Sequence, residues 1–194
     1  GNASKTVGIF AELGVSQITY NNVGHLNTGC NNISGGNLSS LVGILSDNST
    51  ATAGNLIGHN AIVDCNQTNS SLAVSVIGLY YNGSTSGSNA ISHNNLHSLT
   101  CASTTGTIQG IYTLAGNANY FNNMVRLGYN AAGLSMTPGI NISGFHEQGG
   151  TNNYYHNSVY IGGTNVTGSN GTYAFRSVVP TATREIKNNI FLRG

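Results

Sequence analysis

The chain has 194 residues, of which six are basic and five acidic, for a net charge of +1. Six scattered bases cannot form a phosphate-binding groove, so we expect no nucleic acid partner. No apolar stretch approaches the roughly 18 residues of a transmembrane helix, so we expect no insertion into a membrane. Asparagine occurs 29 times and glycine 27 times, a composition that argues against coiled coils and helical bundles.

A short motif, a small residue followed by large apolar residues, recurs along the whole chain. It reads Val-Gly-Ile-Phe around Gly8 and Val-Gly-Ile-Leu around Gly43, and four related copies follow. The small residues are 30 to 35 positions apart and lie at Gly8, Gly43, Gly78, Gly110, Gly144 and Ala174. Self-similarity at this period is typical of repeat architectures.

A second motif follows each copy of the first and consists of Asn, any residue, and an apolar residue. Its asparagines are Asn21, Asn60, Asn94, Asn122, Asn157 and Asn188. The β-branched and aromatic residues around both motifs predict short strands. The clusters of Gly, Asn and Ser between them predict turns, and no window holds an apolar 3.6-residue period long enough for a helix.

These patterns predict an all-β fold in which residues 1–194 form one continuous solenoid of about six coils with a mean repeat of about 33 residues. The coils are expected to begin near residues 6, 41, 76, 108, 142 and 172. Equivalent residues then lie about 4.8 Å apart, the spacing of neighbouring strands. The second-motif asparagines are predicted to form a ladder, because Asn tolerates the left-handed backbone of a tight bend and its amide can bond to the amide above it.

Stacking of the coils also predicts two apolar columns inside the solenoid. The first consists of Ile9, Ile44, Leu79, Ile111, Phe145 and Phe175. The second consists of Val23, Ile62, Leu96, Met124, Val159 and Ile190.

From Val7 to Ile190, the alternation of Gly-Ile-Tyr-like and Asn-Asn-x-Ile-like units resembles the right-handed parallel β-helix repeat family, the pectate-lyase-like solenoids. Within this family the chain is most similar to Asn-rich bacterial surface repeat proteins. The resemblance implies a single-stranded, right-handed solenoid. It leaves the function open, because the family includes polysaccharide lyases and hydrolases, phage tailspikes and surface adhesins.

The carbohydrate-active members of the family use carboxylates, often with Ca²⁺, and a basic residue. Here Glu12 and Asp47 each lie four residues past their motif glycine and are predicted neighbours in adjacent coils. They could form a Ca²⁺ site or a carboxylate pair for glycoside chemistry; the alternative, which we favour, is two solvated turn residues. Residues 184–187 superficially match a hydrolase Arg-x-Lys element, but no paired aspartates accompany it, which counts against an enzyme.

Histidines supply a second candidate site. His59 and His93 directly precede their motif asparagines in adjacent coils, and His156 has the same place further on. Two imidazoles one strand spacing apart are a candidate pair for a transition metal. No third ligand is evident, so we favour a surface stack of flat side chains whose other members are Tyr20, Phe121 and Lys187. His25 and Asp64 share another column and are expected to touch.

The three cysteines, Cys30, Cys65 and Cys101, lie 22, 22 and 23 residues past their motif glycines. This spacing predicts a cysteine column through three consecutive coils. Neighbouring strands are close enough for a disulfide, which would leave one thiol free. The alternative, which we slightly favour, is a column of buried, unbridged thiols.

Neither end of the sequence shows a helical or charged cap, so we expect a segment of a longer solenoid or a filament subunit covered by other copies. The predicted function is an extracellular or cell-surface structural or adhesive protein. Its expected partners are further copies, flanking repeats of the same polypeptide, and glycans. The alternative is a carbohydrate-binding or polysaccharide-degrading module with surface residues Tyr80, Tyr81, Tyr154 and Tyr155. No cofactor is expected, except Ca²⁺ if the Glu12–Asp47 pair binds it.

Overall fold

The computed structural model describes residues 4–49, 54–136, 139–164 and 171–194. These residues form a β-solenoid with three parallel sheets of six strands each. Each coil contributes one strand to every sheet, and paired residues in the first sheet are 30 to 35 positions apart. The all-β solenoid predicted from the repeats is confirmed.

The strands are numbered in chain order, and the sheets are called A, B and C. Sheet A contains β1 (Thr6–Ala11), β4 (Leu41–Asp47), β7 (Ser75–Asn82), β10 (Thr107–Ala115), β13 (Asn141–Glu147) and β16 (Thr172–Ser177). Sheet B contains β2 (Gln17–Thr19), β5 (Leu56–Gly58), β8 (Ala90–Ser92), β11 (Asn119–Phe121), β14 (Asn153–Tyr155) and β17 (Ile186–Lys187). Sheet C contains β3 (Asn22–Thr28), β6 (Ala61–Gln67), β9 (Asn95–Cys101), β12 (Met124–Leu127), β15 (Ser158–Ile161) and β18 (Ile190–Arg193).

The first predicted apolar column is confirmed along its whole length. Pairing in sheet A stacks its members in the order Ile9, Ile44, Leu79, Ile111, Phe145 and Phe175. All six belong to or pack against the main core cluster. Removing such side chains from water is the main favourable contribution to folding, at about 25 cal/mol per Å² of apolar surface.

The motif glycines mark the point where sheets A and C approach closely. A Cβ added at Gly43 would lie 2.5 Å from Cγ2 of Ile62 in sheet C and 2.6 Å from the carbonyl oxygen of Gly78 in the next coil. Real Cβ atoms do not come this close to backbone, so no larger residue fits without displacing a neighbouring coil. The conserved spacing of the first motif within this chain therefore has a steric cause.

An asparagine ladder runs through all six coils at the corner between sheets B and C. The amide Nδ2 of each Asn donates to Oδ1 of the next, at 2.9 to 3.0 Å, in the order Asn21, Asn60, Asn94, Asn123, Asn157 and Asn189. Each Oδ1 also accepts the backbone N–H of the preceding ladder residue, as at Asn94 and Asn123. The second amide proton goes to a sheet B carbonyl, such as that of Ile91 for Asn123. These contacts satisfy the buried amides fully.

Two members of the predicted ladder were assigned wrongly, since Asn123 and Asn189 occupy the positions expected for Asn122 and Asn188. Asn122 and Asn188 have φ of 54° and 55° and form the left-handed corner that precedes the ladder residue. The corner is Tyr or His in the other four coils, at Tyr20, His59, His93 and His156. Both misassigned coils contain two successive asparagines, and the motif selected the first instead of the second.

The same one-residue shift changes the second apolar column. Pairing in sheet C places Val125 on Leu96 and Phe191 on Val159, so these residues fill the interior. Met124 and Ile190, which were expected inside, face outward. A shift of one residue reverses the face because side chains alternate across a strand.

A second, interrupted asparagine ladder lies at the corner between sheets A and B, and it was not predicted. Nδ2 of Asn55 donates to Oδ1 of Asn89 at 3.1 Å, and Oδ1 of Asn152 accepts the backbone N–H of Ala118. Ala118 breaks the chain of amides. The preceding turns vary in length, so sequence spacing does not reveal the alignment.

The two adjacent asparagines of the fourth coil give a direct test of the ladder. We expect Asn123→Ala to lower the free energy of unfolding by about 2–4 kcal/mol, because it leaves several buried donors and acceptors unpaired. Asn122→Gly should change it by less than about 1 kcal/mol, since glycine accepts the positive φ. Urea unfolding followed by circular dichroism measures both values. Equal effects of the two substitutions would contradict the ladder register.

Candidate functional site

The two members of the predicted acid pair, Glu12 and Asp47, follow the paired residues Ala11 and Ser46 and have different surroundings. Asp47 accepts hydrogen bonds from the Nδ2 atoms of Asn37 at 2.8 Å and Asn82 at 2.7 Å, one on each carboxylate oxygen. Glu12 is exposed just after the end of β1 and makes no such bond. In the described part of the chain, no three His, Cys, Asp or Glu side chains are grouped closely enough to hold a metal ion. The Ca²⁺ and carboxylate-pair interpretation therefore gains no support from this geometry.

His59 and His93 stack face to face at the exposed corner. Their ring centroids are 4.5 Å apart with an interplanar angle of 6°, and Tyr20 stacks on His59 at 4.7 Å. In-plane nitrogen lone pairs of parallel rings do not converge on one ion about 2.0–2.1 Å away. The arrangement fits a column of flat side chains better than a metal pair. Phe121 and Lys187 do not belong to this column. Asn122 and Asn188 occupy the corresponding corner positions instead.

His25 and Asp64 touch as expected. His25 Nδ1 lies 2.7 Å from Asp64 Oδ2, and the two residues share a left-handed position in neighbouring coils. The His25 side chain is largely exposed, so the pair contributes at most about 1 kcal/mol to stability.

The cysteine column is wrong. Cys65 pairs with Leu26 and Leu99, whereas Cys101 pairs with Gln67. Cys30 lies beyond the end of β3, and all three thiols are free. The prediction counted from the glycine motif, but the turns between sheets A and B differ in length, so equal counts do not give equal positions in sheet C.

The thiols differ in chemical character. Burial, followed by the nearby charge of Asp64, raises the pKa of Cys65 to about 12. For Cys30, partial burial opposes ionisation, but hydrogen bonds from Ser4, Thr28 and Thr6 outweigh it and lower the pKa. Burial also raises the pKa of Cys101, so Cys30 is the thiol of the three that ionises most readily.

Three of the four tyrosines expected on the surface are fully buried. Tyr81 and Tyr154 belong to the main core, and Tyr80 lies in a second apolar cluster with Val42, Leu45, Ile77 and Tyr112. This second cluster is on the outer face of sheet A, where a 3₁₀ turn, Gly36–Leu38, packs against β4 and β7. Tyr155 is partly exposed, and its hydroxyl donates to Glu185 Oε2 at 2.7 Å. These tyrosines do not form a sugar-binding platform.

A buried ion pair closes the A–B corner near the last coil. The Glu147 side chain has 0 % exposure, and its Oε2 lies 2.9 Å from Arg184 Nε, although the angle is too bent for a hydrogen bond. Asn152 Nδ2 and Ser177 Oγ donate to the two carboxylate oxygens at 3.0 and 2.6 Å. Arg184 lies two residues before Ile186, the partner of Tyr154, and so takes the place equivalent to Asn152. Three side chains of this corner therefore pair with or hydrogen-bond the Glu147 carboxylate.

His146 extends the outer apolar column of sheet A, in register with Tyr112. Gln109 Nε2 lies 2.6 Å from His146 Nδ1, so the amide donates to a neutral imidazole. Burial, and then the neighbouring Arg176, lower the pKa of His146 to about 4. The side chain is therefore neutral in the folded protein at physiological pH.

An open groove of about 550 Å³ lies on the outer face of sheet C. The outward side chains that form it come from β9, β12, β15 and β18: Asn95, His97, Met124, Arg126, Ser158, Tyr160, Ile190 and Leu192. Arg126 lies over the ring of Tyr129 at 5.9 Å, and Tyr129 stacks on Tyr160 at 6.3 Å. Sequence reasoning missed this groove, because it placed Met124 and Ile190 in the core.

Three parallel sheets wound around stacked side-chain ladders define the chain as a parallel β-solenoid. No family model matches the chain, and neither does any curated protein or solved structure. Within the described ranges, no helix has the length and apolar character needed to cross a lipid bilayer.

The Glu147–Arg184 pair predicts a specific pattern of stability. Arg184→Met should lower the free energy of unfolding by about 3–5 kcal/mol, because it leaves a buried carboxylate without its cation. The double variant Glu147→Gln/Arg184→Met should recover most of this loss, since no buried charge remains. Chemical unfolding of the single and double variants measures the difference. A double variant as unstable as Arg184→Met would show that the charge of Glu147 is not the cause.

Burial of neutral His146 predicts a loss of stability in acid. The folded-state pKa of about 4 lies below the unfolded value of about 6.5, so protons bind preferentially to the unfolded chain between these values. The contribution of His146 to the free energy of unfolding should be constant above pH 6.5 and fall by about 3 kcal/mol as the pH drops to 4. Urea unfolding of the wild type and of His146→Phe at each pH measures this change. Between pH 6.5 and pH 4, the free energy of unfolding of the wild type should fall by about 3 kcal/mol more than that of the variant. Asn122→Gly, which removes no titratable group, should keep the wild-type pH dependence. A slope unchanged by His146→Phe contradicts the assignment.

Proposed function

We propose that this chain is a structural and adhesive rod module of an extracellular surface fibre, joined to further coils at its ends. The observation that carries the proposal is the asparagine ladder, which runs unbroken from Asn21 to Asn189 through every described coil. The ladder is accompanied by three parallel sheets whose strands are in register from coil to coil. A stack held together at each step by fully bonded amides is suited to act as a stiff spacer.

The open edges of the sheets are the surfaces on which further coils would stack. Sheet C begins at β3, where the N–H of Ala61 bonds to the carbonyl of Asn21 and residue 61 is in register with Asn22. Alternation along a parallel strand then directs the backbone N–H of Asn22 away from β6, toward the open edge. Such an edge is a template for another strand. The partner is a flanking repeat or a second copy.

The charge of the chain favours stacking. With six basic and five acidic residues in 194, there is little long-range repulsion between two copies. The placement outside the cell rests on the resemblance to surface repeat proteins. We do not favour a polysaccharide-degrading module for two reasons. Tyr80, Tyr81 and Tyr154 are buried, and both carboxylate oxygens of Asp47 accept hydrogen bonds from side-chain amides.

Stacking through the edge of β3 is tested by replacing Asn22, whose side chain is exposed. Asn22→Pro removes the N–H that faces the edge and leaves the bonds of Asn21 to the next coil in place. The wild type should sediment faster as concentration rises and form rods much longer than the roughly 24 Å of six rungs in negative-stain electron microscopy. Asn22→Pro should reduce both effects strongly.

Asn22→Ala is the matched control, because it loses the same side chain and keeps the N–H. It should assemble like the wild type. A wild-type chain that stays monomeric at all concentrations, or an Asn22→Pro variant that assembles as well as Asn22→Ala, contradicts the proposal.

A further inference from the structure

We propose that the groove on the outer face of sheet C binds a small amphiphile in which an aromatic or aliphatic body carries one anionic group, a carboxylate, sulfate or sulfonate. The side chains of this site project from the outer face of sheet C, whereas stacking uses the backbone groups at the sheet edges, although Ile190 and Leu192 belong to the edge strand β18. The inference does not depend on the proposed rod function. Four features of the groove carry the inference: its shape, its apolar walls, its single cation and its size.

The shape follows from the register of sheet C. Ser158 lies between Met124 in one neighbouring coil and Ile190 in the other. The two large residues are therefore two strand spacings, about 9.6 Å, apart, with a small residue between them. This sequence of large, small and large side chains leaves a slot about one aromatic ring or alkyl chain wide.

The walls of the slot are apolar and open to solvent. Met124, Ile190 and Leu192 are 60, 57 and 55 % exposed. Tyr160 lies beside Ser158 and adds an aromatic wall. Apolar side chains grouped in this way on one sheet face favour an occupant that removes them from water.

Arg126 gives the groove a positive charge that is not neutralised. The ion pairs of the described residues involve Asp64, Glu147 and Glu185 with other partners, and no acidic side chain lines the groove. The guanidinium is held over the ring of Tyr129, an arrangement that leaves its N–H edge able to bind an anion in bidentate fashion.

The neighbouring His97 does not add a second charge. It pairs with Arg126 across the sheet, and burial followed by the charge of Arg126 lowers its pKa. With a neutral imidazole beside one guanidinium, the groove carries a single positive charge, which suits a ligand with one anionic group.

The size of the groove favours a small molecule over a protein. Its volume of about 550 Å³ lies within the range of about 300–1,000 Å³ that is typical of small-ligand sites. A stable protein interface needs about 800 Å² from each partner, which is more than this group of side chains offers.

Two fluorescent probes that differ in charge test the proposal: 8-anilinonaphthalene-1-sulfonate and its uncharged counterpart N-phenyl-1-naphthylamine. Both should bind the wild type, and the sulfonate should bind more tightly. Arg126→Gln should weaken binding of the sulfonate about tenfold, the effect of one lost charge-assisted contact, and change binding of the neutral probe less than about twofold. Fluorescence titration and calorimetry measure the affinities.

Arg176→Gln is the matched control for charge. Arg176 also lies over a tyrosine, Tyr173 at 5.4 Å, but on the sheet A side of the solenoid. This variant should bind both probes like the wild type. Ser158→Leu is expected to fill the slot and weaken both probes, and its far-UV circular dichroism and thermal midpoint should remain close to those of the wild type because the residue faces outward.

Three outcomes would overturn the proposal. The sulfonate could bind equally well to the wild type and Arg126→Gln, or both probes could bind Ser158→Leu as well as the wild type. Sedimentation equilibrium could instead show a wild-type dimer that Ser158→Leu disrupts, in which case the groove is an interface between copies of the chain.

Discussion

The fold depends on the hydrogen bond between the side-chain amides of equivalent asparagines in successive coils. Each ladder amide donates to the next coil and to a sheet B carbonyl, and its oxygen accepts from both the backbone and the side chain of the preceding ladder residue. A buried amide that loses this partner is left unpaired, at a cost of about 1–3 kcal/mol per group. The ladder therefore fixes the register of all three sheets, since a slip of one residue would break its contacts in every coil.

The corner between sheets A and B shows what happens when such a ladder is incomplete. Ala118 cannot continue the amide chain, and in the last coil the ladder place is taken by Arg184. The buried carboxylate of Glu147 then bonds to Asn152 and Ser177 and pairs with Arg184. A charged cluster thus replaces amides where the repeat departs from its pattern, and both oxygens of the buried carboxylate accept hydrogen bonds.

The constraint on the interior leaves the outward positions free to vary. Outward residues of sheet C do not have to match from coil to coil, so Ser158 can lie between Met124 and Ile190, and Arg126 can lie beside Tyr160. The groove and its cation arise from these differences between coils. Stacking along the axis and ligand binding on the side thus use separate parts of the same repeat.

The sequence by itself determined the solenoid, its period, the first apolar column and four of the six ladder asparagines, because the inward positions of successive coils meet the same local steric demands. It could not decide between Asn122 and Asn123 or between Asn188 and Asn189, since both members of each pair suit either the left-handed corner or the ladder. That choice turned Met124 and Ile190 outward, whereas the unequal turns between sheets A and B separated the cysteines. Only the tertiary structure settled these points, because the turns between sheets differ in length and the contact with the neighbouring coil decides which residue faces inward.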